Sequence, residues 1–214
     1  MKGSMSSAVV YGCGGHGKVV ADILVSLGCF ELRGFLDDGV PSGQTILGLP
    51  TLGGAQWLKD PASKGISIAL GVGDNRARQR VADRCLEAGF NVLTPIHPSA
   101  VVSRTALLGI GTVVMANAVV NPEATVGLGA VINTGAVVEH DCVVGDYDHL
   151  SPNSVMGGGA KIGALSHLGL GAAILPGITV GGSTTVGAGG VVVNDLPDGV
   201  IAVGVPARAR RGVT

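Results

Sequence analysis

Aliphatic residues recur at every sixth position along the C-terminal half of this 214-residue chain. The run has sixteen members without an insertion: Val102, Leu108, Val114, Val120, Val126, Ile132, Val138, Val144, Leu150, Met156, Ile162, Leu168, Ile174, Val180, Val186 and Val192. A small residue follows most of them four positions later. Because six is a multiple of the two-residue period of a strand, each hexad can form a short strand and a bend. Such repeats build parallel β-helices, whose stacked coils bury a continuous aliphatic column.

The composition agrees with this repeat and excludes several classes of protein. Glycine contributes 37 residues, about twice its usual share, and aromatic residues make up only 3%. Tight turns and an aliphatic core are therefore expected. A net charge of -1 gives no basic surface for nucleic acid or acidic membranes. A hydrophobic content of 46% is too high for a disordered chain.

Targeting signals and cysteines favour a cytoplasmic protein. Residues 1–7 lack the apolar stretch of a signal peptide, and Met5 leads us to expect that Met1–Ser4 is a tag remnant. The uncharged segment Ile162–Asn194 is long enough for a membrane span, but its glycines and hydroxyl residues make a helix there poor. No C-x-x-C pair or compact framework is formed by the four cysteines, Cys13, Cys29, Cys85 and Cys142. We expect their thiols to be reduced.

Residues 5–97 show a different organisation, in which short apolar strands alternate with helices. The predicted elements are strands Ala8–Tyr11, Glu31–Leu36, Ile66–Leu70 and Asn91–Pro95, with one helix ending at about Leu27 and another over Arg76–Ala88. This alternation predicts a small Rossmann-like parallel α/β domain that binds a nucleotide or nucleotide sugar. The β-helix then occupies residues 98–214, where residues 197–214 leave the hexad phase and are expected to form a cap.

The first turn of this domain has the spacing of a dinucleotide fingerprint, Gly12-x-Gly14-x-x-Gly17, and Asp37 follows twenty residues later. Glycines at these positions let phosphate groups approach backbone N–H groups at a helix N-terminus. NAD binding is one interpretation, but the domain is too short for a full dinucleotide fold, so a mononucleotide or nucleotide-sugar site fits better. Asp37 and Asp38 can accept hydrogen bonds from a ribose or base, although a solvated turn is the structural alternative.

The hexad pattern resembles that of the hexapeptide acyltransferases. The resemblance implies a left-handed β-helix with three hexads, or eighteen residues, in each coil. Val102–Val192 would then form about five coils, with residues eighteen apart stacked about 4.8 Å from each other. His149 and His167 are eighteen apart and should stack.

His140 lies between Glu139 and Asp141 on the predicted β-helix. A histidine with an ordinary pKa near 6.5 can act as a general base at neutral pH, and a neighbouring carboxylate can fix its tautomer. Gly158 follows by eighteen residues, so its backbone N–H could face a carbonyl that is attacked near His140. A surface histidine in a polar corner is the structural alternative.

Three histidines on a β-helix also raise the hypothesis of a zinc lyase like the γ-class carbonic anhydrases. Zinc needs three convergent protein ligands and a water molecule. His140, His149 and His167 would have to converge across a subunit interface to supply them. The looseness of this match makes it the weakest hypothesis, and no metal is expected.

The whole chain resembles the bacterial hexapeptide-repeat nucleotide-sugar N- and O-acetyltransferases, of the UDP-bacillosamine N-acetyltransferase and sialic acid O-acetyltransferase type. Among the members, GDP-perosamine N-acetyltransferase is nearest. The order of the matching segments is specific and covers nearly the whole chain. These segments are Tyr11–Gly17, Phe35–Asp38, Gly71–Asn75, Asn133–Asp141, His149–Pro152 and Gly204–Ala207.

The resemblance implies a homotrimer with active sites between neighbouring β-helices and acetyl-CoA along the coils. It implies that His140 is the general base and that Asp141 orients it. It places the sugar nucleotide on Gly14, Gly15, His16, Gly73 and Asn133, with Asp37 and Asp38 near the base. It places acetyl-CoA on His149, Gly158, Leu170 and Ala188.

Three positions depart from the family pattern. Ala188 replaces a common glycine, and His167 replaces a usual apolar residue. Asp148 occupies an inward position for a small residue. Because an unpaired buried carboxylate is costly, either Asp148 has a partner or the coil bends there.

We therefore expect an acetyl-CoA-dependent N-acetyltransferase acting on a nucleotide-linked 4-amino-4,6-dideoxy sugar, with direct transfer and GDP-perosamine as the first candidate acceptor. One alternative is O-acetylation of a sugar hydroxyl. Another is a non-catalytic nucleotide-binding module on an assembly solenoid. The sequence leaves open GDP against UDP, the sugar and the carbon that carries the amine.

Overall fold

The computed structural model describes residues 5–210, and the chain forms two compact units that separate between Pro98 and Ser99. The expected tag remnant Met1–Ser4 lies outside the described residues, as do residues 211–214 of the predicted cap. No helix in the described part of the chain is both long enough and apolar enough to cross a bilayer.

The first unit is built on a three-stranded parallel sheet with the strand order β2-β1-β5. Its main elements are β1 (Ser6–Tyr11), α1 (Gly15–Leu27), β2 (Phe30–Leu36), β3 (Thr45–Ile46), β4 (Leu49–Pro50), β5 (Ser67–Leu70) and α2 (Asn75–Glu87). Two short 3-10 helices cover Ala55–Lys59 and Pro61–Ser63. The predicted small parallel α/β fold is confirmed.

The prediction of a fourth strand over Asn91–Pro95 is wrong. Only Val92 bridges to β5, through Ile68, and the segment forms no further ladder. Pro95 follows three residues later and has no N–H to donate, which limits a longer ladder. The antiparallel β3–β4 hairpin was not predicted, because its two-residue strands belong to no repeating pattern.

Both helices bury an amphipathic face against the sheet. In α1 the buried residues include Val20, Ile23 and Leu24, at positions i, i+3 and i+4 of one helix face. Helix α1 ends at Leu27 and is capped by Gly28, whose φ of 67° is the left-handed cap conformation that glycine adopts without steric cost. At the start of α2 the Asp74 carboxylate accepts a hydrogen bond from the Ala77 N–H at 2.7 Å, the usual N-cap contact.

The second unit is a parallel β-helix of two-residue strands. Strands β6 to β21 are Val101–Val102, Leu107–Leu108, Val113–Val114, Val119–Val120, Thr125–Val126, Val131–Ile132, Val137–Val138, Val143–Val144, His149–Leu150, Val155–Met156, Lys161–Ile162, His167–Leu168, Ala173–Ile174, Thr179–Val180, Thr185–Val186 and Val191–Val192. They are followed by β22 (Ile201–Val203) and β23 (Arg208–Arg210). The segment Ile162–Asn194 is thus strand and turn, in agreement with the rejection of a membrane span.

The strands stack into three faces with a register of eighteen residues, as in Val131 against His149 and His149 against His167. Face 1 contains β6, β9, β12, β15, β18 and β21, and face 2 contains β7, β10, β13, β16 and β19. Face 3 contains β8, β11, β14, β17, β20 and β22, with β23 antiparallel at its end. Val102–Val192 forms about five coils, as predicted, and the chain after Val192 extends the stack into a sixth turn through β22, which pairs with β20.

The second residue of each strand points into the core, as the hexad pattern predicts. All fourteen of these residues from Val114 to Val192 are buried. Asp148 is fully buried as well, and its carboxylate accepts hydrogen bonds from the backbone N–H groups of Gly145 and Ser166, at 2.8 and 2.7 Å. The carboxylate therefore has partners, which satisfies the requirement for a buried charge.

The corners of the coils depend on a backbone conformation that the hexad pattern did not predict. Every sixth residue from Gly111 to Gly189 has a positive φ, and seven of these residues are not glycine. At one of them, Asp141, φ is 60° and the N–H donates to the Pro122 carbonyl of the preceding coil at 3.1 Å. Such bonds between coils offset the roughly 1–2 kcal/mol that this conformation costs an ordinary residue.

Candidate active site

His140 and Asp141 form a hydrogen-bonded pair at the corner between face 1 and face 2. The His140 Nδ1 atom lies 2.7 Å from Asp141 Oδ2. Both side chains are more than half exposed in the single chain. Since the carboxylate can only accept, it holds the ring proton on Nδ1 and leaves Nε2 as the basic nitrogen.

The other side of the His140 ring lies against Gly158 on the next coil. A Cβ atom placed on Gly158 would stand 2.6 Å from Nε2 and 2.7 Å from Cε1 of the imidazole. Within residues 5–210 no hydrogen bond engages the Gly158 N–H, whereas the next N–H, of Gly159, donates to the His140 carbonyl at 2.8 Å. A basic nitrogen and a backbone donor therefore lie side by side at this corner.

The carboxylate also changes the basicity of His140. Its hydrogen bond raises the pKa of the imidazole above the ordinary 6.5, and the charges of Asp141 and Glu139 act in the same direction. Partial desolvation opposes them. The net effect raises the pKa of His140, which makes its imidazole a stronger base.

A second group of predicted residues lies on face 3. Asn133 Nδ2 is 2.8 Å from Nε2 of His149. The His149 and His167 rings are 4.9 Å apart between centroids, with planes that differ by 2°. The predicted stacking of the two histidines is confirmed, and both rings are half-buried.

The remaining predicted acetyl-CoA residues, Leu170 and Ala188, lie at the corner between face 3 and face 1. Both are exposed, and the Gly189 N–H bonds to the Leu170 carbonyl at 2.8 Å. Within one chain this corner and the His140 corner are at opposite edges of face 1. Six residues of extended backbone separate such corners, about 20 Å. The structure therefore does not bring the two groups together in a single chain.

The glycines of the turn after β1 have two different structural roles. Gly12 has a φ of 110°, and a Cβ there would collide with the Gly71 carbonyl. A Cβ on Gly17 would collide with the Gly12 carbonyl, so these glycines allow close packing. A Cβ on Gly14 or Gly15 would meet nothing within 4 Å. The open half of the turn is at the N-terminus of α1, where a phosphate can approach.

His16 follows this open turn and adjoins Gly73, whose added Cβ would lie 3.7 Å from the His16 Cβ. Burial, together with the nearby Arg78 charge, lowers the pKa of His16 to about 4, so the ring is neutral at pH 7. Arg78 itself is fully buried and donates to the carbonyls of Val72 and Gly73, at 3.1 and 2.9 Å. Arg78 thus fixes the loop that follows β5.

The role of Arg78 was missed in the sequence, although its spacing contained a signal. Arg78, Val81, Ala82 and Cys85 are all buried and lie on one face of α2. An arginine at the first position of that stripe indicates a buried side chain with several acceptors. The motif Gly71–Asn75 supplies these acceptors, because Nη2 of Arg78 also donates to Asn75 Oδ1 at 2.9 Å.

Asp37 and Asp38 are held mainly by protein donors. Asp37 Oδ2 accepts from the backbone N–H of Cys13 at 3.0 Å, and its Oδ1 accepts from the Gly39 N–H at 2.9 Å. Asp38 accepts from the Tyr11 hydroxyl at 2.8 Å and from Arg84 at 3.0 Å. These hydrogen bonds outweigh desolvation and lower the pKa of both carboxyl groups.

These two acids border a cavity of about 350 Å³ in the first unit. Its lining includes Tyr11, Asp37, Asp38, Arg80 and Arg84, at the carboxyl ends of β1 and β2. Ligands of open parallel sheets bind at this edge. A larger cavity of about 510 Å³ opens near the beginning of β5 and contains none of the predicted site residues.

The described part of the single chain gives no support to the zinc hypothesis. In the described range 5–210, no group of three or more His, Cys, Asp or Glu side chains is arranged to hold a metal ion. His149 and His167 are stacked ring on ring rather than directed to one point.

Comparisons with known proteins agree with this combination of units. Residues 7–85 match the sequence family of the PglD N-terminal domain. The UDP-N-acetylbacillosamine N-acetyltransferase of Bacillus subtilis strain 168 is 36% identical over 121 residues, which cover 52% of this chain and 52% of that protein. This chain therefore matches about half the length of that curated relative.

Solved structures match nearly the whole chain. PerB of Caulobacter crescentus, solved with CoA and GDP-perosamine, is 43% identical, with a TM-score of 0.91 over 96% of this chain and 97% of that one. The acetyltransferase domain of PglB from Neisseria gonorrhoeae FA1090 is 38% identical, with a TM-score of 0.91 over 96% and 100%. This chain thus belongs to the bacterial hexapeptide-repeat family of nucleotide-sugar acetyltransferases.

Proposed function

We propose that the protein transfers the acetyl group of acetyl-CoA to the amino group of a nucleotide-linked 4-amino-4,6-dideoxy sugar. The observation that carries this proposal is the His140–Asp141 pair, with Nε2 of the imidazole beside the Gly158 backbone. GDP-perosamine is the first candidate acceptor, because the 43% identical PerB was solved with CoA and GDP-perosamine. A structure of the PglB domain with acetyl coenzyme A supports the donor.

In the proposed reaction the sugar amine attacks the thioester carbonyl while Nε2 of His140 removes its proton. Asp141 orients the ring and stabilises the imidazolium that forms. The Gly158 N–H donates to the oxyanion of the tetrahedral intermediate. The C–S bond then breaks, and CoA leaves as the thiol with the proton from His140. No covalent enzyme intermediate is required, because Cys142 is buried in the core.

The first unit supplies the proposed nucleotide site. Gly14 and Gly15 leave open backbone at a helix N-terminus for the phosphates. The neutral His16 ring, next to Gly73, is suited to contact the sugar. Asp37 and Asp38 line the cavity proposed for the base, where each keeps an oxygen with only one protein donor.

A homotrimer would complete the proposed site. His140 and Gly158 lie at one edge of face 1, and Leu170 and Ala188 lie at the other. One acetyl-CoA can contact both groups only if neighbouring chains bring opposite edges together. The outward residues of face 1 are all aliphatic and none is buried in the single chain: Val101, Val119, Val137, Val155, Ala173 and Val191. Face 1 is therefore the proposed contact between chains.

The cytoplasm is the proposed location. Each of the four cysteines is a free thiol, and reduced thiols persist there. The reaction requires no metal.

The test is release of CoA thiol from acetyl-CoA in the presence of GDP- and UDP-linked 4-amino-4,6-dideoxy sugars. We expect release with one member of the panel and loss of release in His140→Asn. Release of thiol only with a hydroxyl acceptor would show that the reaction is O-acetylation and not N-acetylation. Nucleotide binding without CoA binding would identify a non-catalytic module. Activity that depends on stoichiometric zinc would support the metal hypothesis.

A further inference from the structure

The outward side of face 3 carries the same kind of side-chain pair twice, one coil apart. Asn133 Nδ2 lies 2.8 Å from Nε2 of His149, and Ser151 Oγ lies 2.7 Å from Nε2 of His167. In both pairs the polar partner precedes its histidine by sixteen residues. The two imidazoles stack with centroids 4.9 Å apart. His149 therefore rests on a second histidine that is itself anchored.

The amide of Asn133 determines which nitrogen of His149 carries the proton. The Thr134 N–H donates to Asn133 Oδ1 at 2.8 Å, which identifies that atom as the amide oxygen. The atom facing His149 is then the amide nitrogen, which can only donate. Nε2 of His149 must accept, so the proton of the neutral ring resides on Nδ1.

The neighbours on both coils restrict the orientation of the His149 ring. Val131 pairs with His149 on the preceding coil, and His167 pairs with it on the following coil. The rings of His149 and His167 are parallel within 2°, so a rotation of one out of this plane brings it against the other. The Ser151 hydroxyl holds His167 in the same orientation.

We infer that His167 is a positioning residue that, together with Ser151, keeps the His149 imidazole in the plane in which it accepts from Asn133, and therefore in its Nδ1–H tautomer, toward acetyl-CoA. The identity of acetyl-CoA as the ligand rests on the proposed function. The geometry of the stacked pair does not. An aliphatic side chain at position 167 would lose the ring stack and the hydrogen bond to Ser151 together.

The test uses ¹⁵N-histidine-labelled full-length protein and the ring nitrogen shifts of His149, assigned by their loss in His149→Gln. We expect Nδ1 protonated and Nε2 unprotonated in the unsubstituted protein, and averaged shifts in His167→Leu. The KM for acetyl-CoA should rise about two- to tenfold in His167→Leu, the factor that corresponds to an aromatic pair. The KM for the sugar nucleotide should not change.

Three further variants separate positioning from a general loss of structure. His167→Phe keeps a flat ring and should restore most of the affinity for acetyl-CoA, whereas Ser151→Ala should cause a smaller loss. Thr185→Ala is the matched control, because Thr185 pairs with His167 one coil farther from His149. It should leave the His149 shifts and both KM values unchanged.

An Nε2–H tautomer in His149 would overturn the inference, as would unchanged His149 shifts in His167→Leu or equal effects in Thr185→Ala. Absence of acetyl transfer by the unsubstituted protein would instead contradict the proposed function. The ring shifts would still decide the positioning of His149, because they are measured in the free protein.

Discussion

His140 and Gly158 occupy equivalent corners of successive coils, and the imidazole of His140 covers the glycine so closely that no side chain fits there. An added Cβ would stand 2.6 Å from Nε2, a distance that real Cβ atoms essentially never show. The observed position of the His140 ring therefore requires a glycine at position 158. The proposed general base and the proposed oxyanion donor are thus positioned by one contact.

Gly158→Ala should displace the His140 ring and reduce kcat on the order of 10²-fold, because small errors in the position of a catalytic group cost that much. Protein folding should be retained, as judged by circular dichroism. The matched measurement is Gly158→Ala in a His140→Asn background. If the methyl group acts through the imidazole, it will cause little further loss there. A full additional loss would show that Gly158 acts independently of the ring.

Asp141→Asn should move the acid limb of the pH profile of kcat/KM to lower pH. The hydrogen bond and charge of Asp141 raise the pKa of His140 in the folded protein, and a general base is active only when deprotonated. Removing the charge lowers that pKa, so the base remains deprotonated at lower pH. The maximal rate should fall, because the ring is oriented less well. Asparagine suits the positive φ at this corner.

Glu123→Gln is the control for Asp141→Asn. Glu123 lies one coil earlier at the same corner and has the same φ of 60°. Its charge is not among the causes that shift the pKa of His140. An acid limb that moves equally in both variants, or that moves to higher pH in Asp141→Asn, would contradict the proposed role of Asp141.

Two buried serines in the β-helix should respond in opposite directions to alanine. Ser154 is fully buried, and its hydroxyl has no hydrogen-bond partner within residues 5–210. Ser154→Ala should raise the free energy of unfolding by about 1 kcal/mol, because a desolvated hydroxyl is removed. Alanine already occupies the same inward position on the neighbouring coils, at Ala136 and Ala172.

Ser166→Ala should instead lower the free energy of unfolding by about 1–3 kcal/mol. The Ser166 hydroxyl donates to the Gly181 carbonyl at 2.9 Å and accepts from the Thr184 N–H at 3.0 Å. Alanine would leave the buried N–H of Thr184 without this acceptor. Urea denaturation of both variants measures the difference, and a change of the same sign in both would contradict it.

Val155→Glu should dissociate the proposed trimer, whereas Val143→Glu should not. The two valines are 38% and 40% exposed in the single chain, so the substitutions are closely matched. Val155 is on the aliphatic face 1, whereas Val143 shares face 2 with Lys161. A charge buried between chains on face 1 is costly. Analytical ultracentrifugation would show the change, and equal behaviour of the two variants would argue against face 1 as the interface.

The sequence alone determined the architecture of both units, because that information is local or strictly periodic. A hydrophobic residue at every sixth position requires a repeating inward direction, and a stacked β-helix satisfies it. The resemblance to hexapeptide acyltransferases added the eighteen-residue coil, from which the stacking of His149 on His167 followed. Strand and helix alternation, with the glycine turn after β1, determined the parallel sheet. Only the short elements and the strand near Val92 were missed or wrong.

The tertiary structure decided how these residues satisfy one another. Asp148 finds its donors on Gly145 and Ser166, and Arg78 is buried against the loop after β5. Asp141 takes a positive φ because the preceding coil offers an acceptor for its N–H. Each of these features depends on polar groups that the folded chain brings together. The spacing of residues along the sequence does not give the distances between those groups. The periodic pattern determines that the coils stack, but only the stacked coils show which polar groups meet.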